Sequence, residues 1–182
     1  MKEISLHILD ITQNSIVAGA SKIVLEVIED TKEDILRFTI KDNGCGMDEE
    51  FLKNVINPFT TKRTTRKVGL GIPLLKLAAE NAGGGIDIKS RVGEGTEISA
   101  WFKHSHIDRQ PLGNMADTMF TLITSNTEPD FDYIHKYNDK EFKVSTREIK
   151  EILGDVPLNN IEVSGWLADF LKEGESELYE IS

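Results

Sequence analysis

The chain has 182 residues and a formal net charge of −10, with 39% hydrophobic and 29% charged residues. That length allows one domain, or one with a small appendage, and the composition is that of an ordinary soluble globular chain. The acidic balance argues against nucleic acid as the main partner, and no apolar run reaches the roughly 18–20 residues that span a bilayer. The N-terminus MKEISLHILD carries early acids and no signal-peptide core. Cys45 is the only cysteine, so no intrachain disulfide can form. Together these features predict a cytoplasmic protein.

Residues 3–18 read as a helix, because Ile4, Ile8, Ile11, Ser15 and Ala18 recur at spacings of four and three and form a buried stripe. His7, Asp10 and Asn14 make a second stripe about 60° around the helix. Gly19 suits the position just past a helix end. Residues 22–29 alternate, with Ile23, Leu25 and Val27 facing one way, and 35–41 form a second strand, so the two make a hairpin. Asp42-Asn43-Gly44-Cys45-Gly46-Met47 then breaks the strand with two glycines.

Residues 48–55 read as a short helix and 57–68 as a long exposed loop rich in Thr, Lys and Arg. Residues 69–81 read as a helix with Leu70, Leu74, Leu77 and Ala78 as its buried face; Pro73 is tolerated near the first turn. Residues 86–90 and 96–103 form a hairpin around Val92-Gly93-Glu94-Gly95. This order fits an α/β (α+β) sandwich: a mixed, mostly antiparallel sheet covered on one face by helices.

The character changes after His104. Residues 111–125 read as a helix, 132–146 as a hairpin turning at Asn138-Asp139, 147–154 as a helix capped by Thr146, and 160–173 as a helix with Trp166, Leu167, Phe170 and Leu171 apolar. The predicted division is 1–104 as the main domain and 105–182 as a small α+β extension. His104 and His106 are placed on one face of a strand, as surface or packing residues rather than a metal site. Residues 147–182 carry nine acids against three bases, which reads as a solvated face.

Several residues have chemistry to offer. The amide of Asn14, mid-helix beside the core stripe, suits Mg²⁺, which prefers oxygen and is shared with substrate phosphates. Asp10, one turn earlier on the same face, can hold a metal-bound water or act as a general base; an exposed carboxylate is the plain alternative. Asp42 ends a strand, where a carboxylate can accept from the exocyclic amine of adenine while Gly44 and Gly46 let backbone approach the base. The same string also makes a simple β-turn. Between Phe51 and Ala79 there are six Lys or Arg and no Asp or Glu, a local charge reversal that matches a loop closing over phosphates. Gly69-Leu70-Gly71 opens a helix whose free N–H groups and dipole suit a phosphate. Thr96 can bond adenine or a bridging water.

The order and spacing of these segments carry more than any one of them. HILDITQNSIVAGA, DNGCGM, NPFTTKR, GLGIPLLK and GEGT resemble the N, first glycine, F, second glycine and final Gly-Thr boxes of the gyrase, heat-shock chaperone, histidine kinase and MutL ATPase superfamily, which shares the Bergerat fold. The resemblance covers residues 4–103. NSIVAGAS and DNGCGM are similar to the MutL branch; NPFTTKR through GLGI is similar to sensor histidine kinases. It implies that Asn14 ligates Mg²⁺ and Asp42 reads adenine. Gly44, Gly46, Met47, Gly69, Leu70 and Gly71 would shape the pocket and lid, Phe59 and Lys62 would act from the lid with Lys62 on phosphate, and Thr96 would support the adenine contact. Asp10 stands where the gyrase and MutL branches place a glutamate base.

The chain departs from the kinases in three ways, one being that the first strand of their usual domain is expected to be missing. They carry a dimerisation module with the phosphorylated histidine before the ATP domain, whereas thirteen residues precede Asn14 here, so the acceptor is expected on another protein. Val17 stands where they often place a basic residue. The expected function is a stand-alone, Mg·ATP-binding, histidine-kinase-like module that transfers phosphoryl to a His or Ser of a separate protein in bacterial signalling. The alternatives are an ATP-gated regulatory binding module with little turnover, or a MutL- or gyrase-like ATPase. Residues 105–182 are expected to dock the partner or to form a homodimer.

Overall fold

A computed structural model describes residues 2–57 and 70–181. The chain order is α1 (Ile4–Val17), β1 (Lys22–Asp30), β2 (Ile35–Asp42), α2 (Glu49–Ile56), α3 (Gly71–Asn81), β3 (Gly85–Arg91), β4 (Gly95–Lys103), α4 (Met115–Ser125), β5 (Asp130–Tyr137), β6 (Lys140–Ser145), α5 (Thr146–Leu153) and α6 (Ile161–Leu178). The strands form one sheet in the order β3-β4-β2-β1-β5-β6. β1 and β5 are parallel and every other pair is antiparallel, as the mixed, mostly antiparallel expectation has it.

Alternation decides which face is covered. Ile23, Leu25 and Val27 of β1, Leu36, Phe38 and Ile40 of β2, Ile98, Ala100 and Phe102 of β4, and Phe131 and Tyr133 of β5 share one buried face. Side by side across it lie α3, α1, α4 and α6. α1 contributes Ile4, Ile8 and Ile11, each essentially inaccessible and each worth about 1.5–3 kcal/mol of burial. The opposite face carries Glu26, Arg37, Thr39, Lys41, Lys89 and Glu97, and is exposed or half-exposed.

Four local expectations need correction. In α3 the buried stripe is Ile72, Leu75 and Ala79, while Leu70, Leu74 and Leu77 are exposed. This helix has two apolar stripes, and the one that packs on β3, β4 and α1 is buried; Gly71 lies close against Asp10 of α1. Ser145, not Thr146, caps α5; Thr146 is buried and its hydroxyl accepts from the Phe131 amide at 2.8 Å. The helix predicted from residue 111 starts at Met115, because Asn114 accepts from the Asp117 amide and caps it. His104 and His106 follow β4 in a turn, not on a strand, and no cluster of metal-ligating side chains occurs among the described residues.

A buried polar group ties α6 to the sheet. His135 of β5 is 0% exposed and Glu29 of β1 only 5%. His135 Nδ1 stands 2.7 Å from Glu175 Oε2 of α6, and its Nε2 faces Glu29 Oε1 at 3.6 Å. Tyr133 donates to Glu175 at 2.5 Å and Tyr179 to Glu29 at 2.9 Å. Burial opposes charge on His135, but the carboxylates Glu175 and Glu29 outweigh it and hold its pKa at about 9.

Gly174 of α6 sits on the ring of Phe142, where an added Cβ would come within 2.2 Å of ring carbons. Gly174→Ala is expected to destabilise the fold by about 1–3 kcal/mol through overpacking. Urea denaturation checks it; a stabilised variant, as helix propensity alone would give, would show that Phe142 yields freely.

Candidate functional site

The site grows from the end of β2 and the second half of α1. Asp42 is buried at the last position of β2. Its Oδ2 accepts from the Ser15 hydroxyl at 2.5 Å and its Oδ1 from the Gly44 amide at 2.9 Å. Ser15 is the residue after Asn14, so this bond fixes α1 against the strand end. Asn14 itself is exposed on α1.

The loop after Asp42 is pinned on both sides. Asn43 Oδ1 accepts from the Ser21 and Lys22 amides at 2.9 and 3.0 Å, and the Cys45 amide donates to Ala18 O at 2.9 Å. On the far side the Met47 amide donates to Ser90 Oγ at 2.8 Å, and Ser90 Oγ lies 2.8 Å from Thr96 Oγ1. Thr96 pairs directly with Asp42 across β4 and β2. Two glycines make this closeness possible. Gly46 has φ +71° and a Cβ there would meet Arg91 O at 2.1 Å; Gly95 has φ +123° and a Cβ would meet Asp42 O at 2.0 Å. Both conformations and both approaches exclude side chains.

Asp10 completes the α1 stripe and leans on α3, where a Cβ on Gly71 would stand 2.1 Å from Asp10 Oδ2. Leu70 precedes the first residue of α3 and is exposed. His7, one turn before Asp10, is buried; its Nε2 meets Gln110 Oε1 at 3.1 Å and its Nδ1 makes no hydrogen bond among the described residues. Burial lowers its pKa, so it is a neutral packing residue and not a cation for phosphate. A groove of about 430 Å³, lined in part by Lys41, Asp42, Arg91 and Thr96, opens beside the strand ends.

Thus Asp42, Gly44, Gly46, Met47 and Thr96 lie together, with Asn14 alongside through Ser15, and Asp10, Leu70 and Gly71 mark the start of α3 one turn back along α1. Phe59, Lys62 and Gly69 lie outside the described residues. Sequence reading missed Ser15, which it placed in the apolar stripe, and Ser90. A small hydroxyl on a buried helical stripe must find a partner, but only the folded chain shows that the partner is Asp42. Ser90 left no comparable mark.

The arrangement fits a purine nucleotide. A carboxylate has about four lone-pair sites, and Asp42 has spent one on Ser15 and one on Gly44, leaving acceptors for an exocyclic amine. The exposed amide oxygen of Asn14 is the hard ligand type that Mg²⁺ takes.

Comparison with known proteins agrees. The family model described as histidine kinase-, DNA gyrase B-, and HSP90-like ATPase matches residues 2–106, and the chain belongs to that family. Membership of that family implies that the chain binds ATP. The chain is 42% identical over 65 residues to a putative sensor protein of Shewanella frigidimarina, covering 35% of this chain and 10% of that one. It is 37% identical over 81 residues to the sensor histidine kinase YvrG of Bacillus subtilis, covering 42% and 14%. It is 40% identical over 80 residues to the sensor protein SrrB of Staphylococcus aureus, covering 41% and 13%. The chain thus spans between 10% and 14% of these relatives' length. The crystal structure of the N-terminal domain of a DNA repair protein superposes with a TM-score of 0.51 at 13% identity, covering 80% of this chain and 52% of that one, and so shares the fold. No described helix is long and apolar enough to cross a membrane.

Proposed function

We propose that this ATP-binding, kinase-like module holds Mg·ATP and transfers the γ-phosphoryl group to a residue of a separate protein. The observation that carries the reading is the Ser15–Asp42 hydrogen bond at 2.5 Å, which sets Asn14 one residue from the carboxylate assigned to adenine. In this reading Asp42 accepts from the adenine amine, Thr96 backs that contact, and Asn14 offers its oxygen to the metal. Bound Mg²⁺ supplies charge neutralisation on the phosphates. The N-terminus of α3 faces the anionic end of the nucleotide. The bond between the γ-phosphorus and the β–γ bridging oxygen breaks as the acceptor's bond to phosphorus forms, and ADP leaves. Asp10 is assigned the proton of the incoming nucleophile.

A second reading, an ATP-gated binding module with little turnover, is favoured by the contact of Asp10 with Gly71. A carboxylate leaning on the first residue of α3 couples α1 to the start of that helix, and has one side less open to water. The two readings separate on incubation with γ-labelled ATP, alone and with lysate. Label transferred to a protein supports transfer, acid-labile for a histidine and acid-stable for a serine. Free phosphate alone supports an ATPase, and tight binding with neither product supports gating.

Ser15→Ala is expected to weaken ATP binding by about 1–2 kcal/mol, roughly five- to thirty-fold, because it removes a donor to a buried charged group. Titration calorimetry with ADP and Mg²⁺ measures it, and an unchanged affinity would detach Ser15 from the site.

A further inference from the structure

The shoulder of α6 carries an aromatic step beside a row of exposed carboxylates. Trp166 is 50% exposed and stacks on Phe170 at 5.1 Å and 11°. Phe170 in turn meets Phe142 of the edge strand β6 at 5.5 Å. On a regular helix Glu162, Asp169, Glu173 and Glu177 fall within about 60° of Trp166, while Leu167, Leu171 and Leu178 turn about 100–140° away into the core. All four carboxylates are exposed, and none has an ion-pair partner among the described residues.

Folding does not account for this row. Asp169, Glu173 and Glu177 repeat every four residues, where like charges cost about 0.2–0.5 kcal/mol per pair, and lysines there would relieve the cost. An exposed tryptophan in the same stripe adds apolar surface that the fold leaves uncovered. The charge also selects the occupant. A second copy placed across a two-fold axis would bring the rows together, and an anionic surface would be repelled. What complements both features is a cationic apolar segment. The row runs along the helix for about 22 Å, the length of a helix of four turns.

We propose that the Trp166–Phe170 shoulder of α6 docks a basic amphipathic helix of a partner protein. Its apolar residues would cover the aromatic step and its Lys or Arg would line the carboxylates from Glu162 to Glu177.

The test uses the full chain without nucleotide, so its failure leaves the phosphoryl-transfer reading standing, and the reverse. The probe is a fluorescein-labelled 18-residue Leu/Lys amphipathic peptide followed by anisotropy. Trp166→Ala is expected to weaken binding tenfold or more. The combined Asp169→Asn, Glu173→Gln, Glu177→Gln variant is expected to weaken it similarly and to flatten its salt dependence. A control with Glu33→Gln, Glu49→Gln and Glu50→Gln, exposed acids elsewhere, is expected to bind as the parent does. Equal loss in the control, parent-like binding by Trp166→Ala, or no saturable binding would each overturn the proposal. So would a dimer in sedimentation that Trp166→Ala abolishes, which would give the shoulder to a second copy.

Discussion

Asp42→Asn is expected to lower ATP affinity by about ten- to a hundred-fold while leaving the chain folded. Asp42 accepts from Ser15 and Gly44, and its remaining lone pairs are the ones assigned to the adenine amine. Asparagine keeps the shape but replaces one acceptor oxygen with a donor, which then faces either the Ser15 hydroxyl or the amine. Loss of a hydrogen bond to a charged group costs about 1.5–3 kcal/mol, and each 1.4 kcal/mol is tenfold in affinity. Asn14→Ala is expected to act differently, with its loss appearing in the presence of Mg²⁺ and vanishing in a chelator. Calorimetric titration of ADP into both variants, with and without Mg²⁺, checks the two assignments. Parent-like binding by Asp42→Asn would remove that residue from adenine recognition.

The largest stability effect is expected at His135. The imidazole lies between Glu175 at 2.7 Å and Glu29 at 3.6 Å, so it must be protonated on both nitrogens to face both carboxylates favourably. His135→Leu leaves these carboxylates buried without their cation, and breaking such a pair costs about 3–5 kcal/mol. The pH dependence has a definite sign. The folded pKa of His135, about 9, exceeds the ordinary value of 6.5, so the folded state binds its proton more tightly. Its contribution is full below pH 6.5 and is lost as pH rises towards 9. Melting temperatures of the parent are expected to fall across that window, while the His135→Leu variant is low at pH 6.5 and loses less on the way to pH 9. A parent curve flat across the window would show that His135 is neutral in the folded chain.

The parts of the fold read correctly from sequence are those where one periodicity dominates. Ile4, Ile8 and Ile11 give α1 a single apolar stripe, and Ile23, Leu25 and Val27 give β1 a single face. Asn138-Asp139 marks the β5–β6 turn because Asn138 adopts φ +52°, a conformation asparagine tolerates. In α3 the reading went to the wrong stripe, since leucines at 70, 74 and 77 compete with Ile72, Leu75 and Ala79, and only tertiary packing against β3, β4 and α1 decides between them. The β1–β5 parallel pairing joins residues more than a hundred apart, and no local pattern encodes it.

The candidate site was legible because glycines and a strand-end aspartate are rare enough to be informative in fixed order. Its supporting hydroxyls were not, because Ser15 and Ser90 look like any small residue until the strands are paired. The His135–Glu29–Glu175 group escaped for the same reason: its members come from β1, β5 and α6 and meet only in the folded chain.

The most direct measurement is a crystal structure of the chain with a non-hydrolysable ATP analogue and Mg²⁺. The expected result is the adenine amine within hydrogen-bond distance of Asp42, the metal on the amide oxygen of Asn14, and the phosphates at the start of α3. A nucleotide bound away from Asp42, or a metal that Asn14 does not touch, would contradict the account.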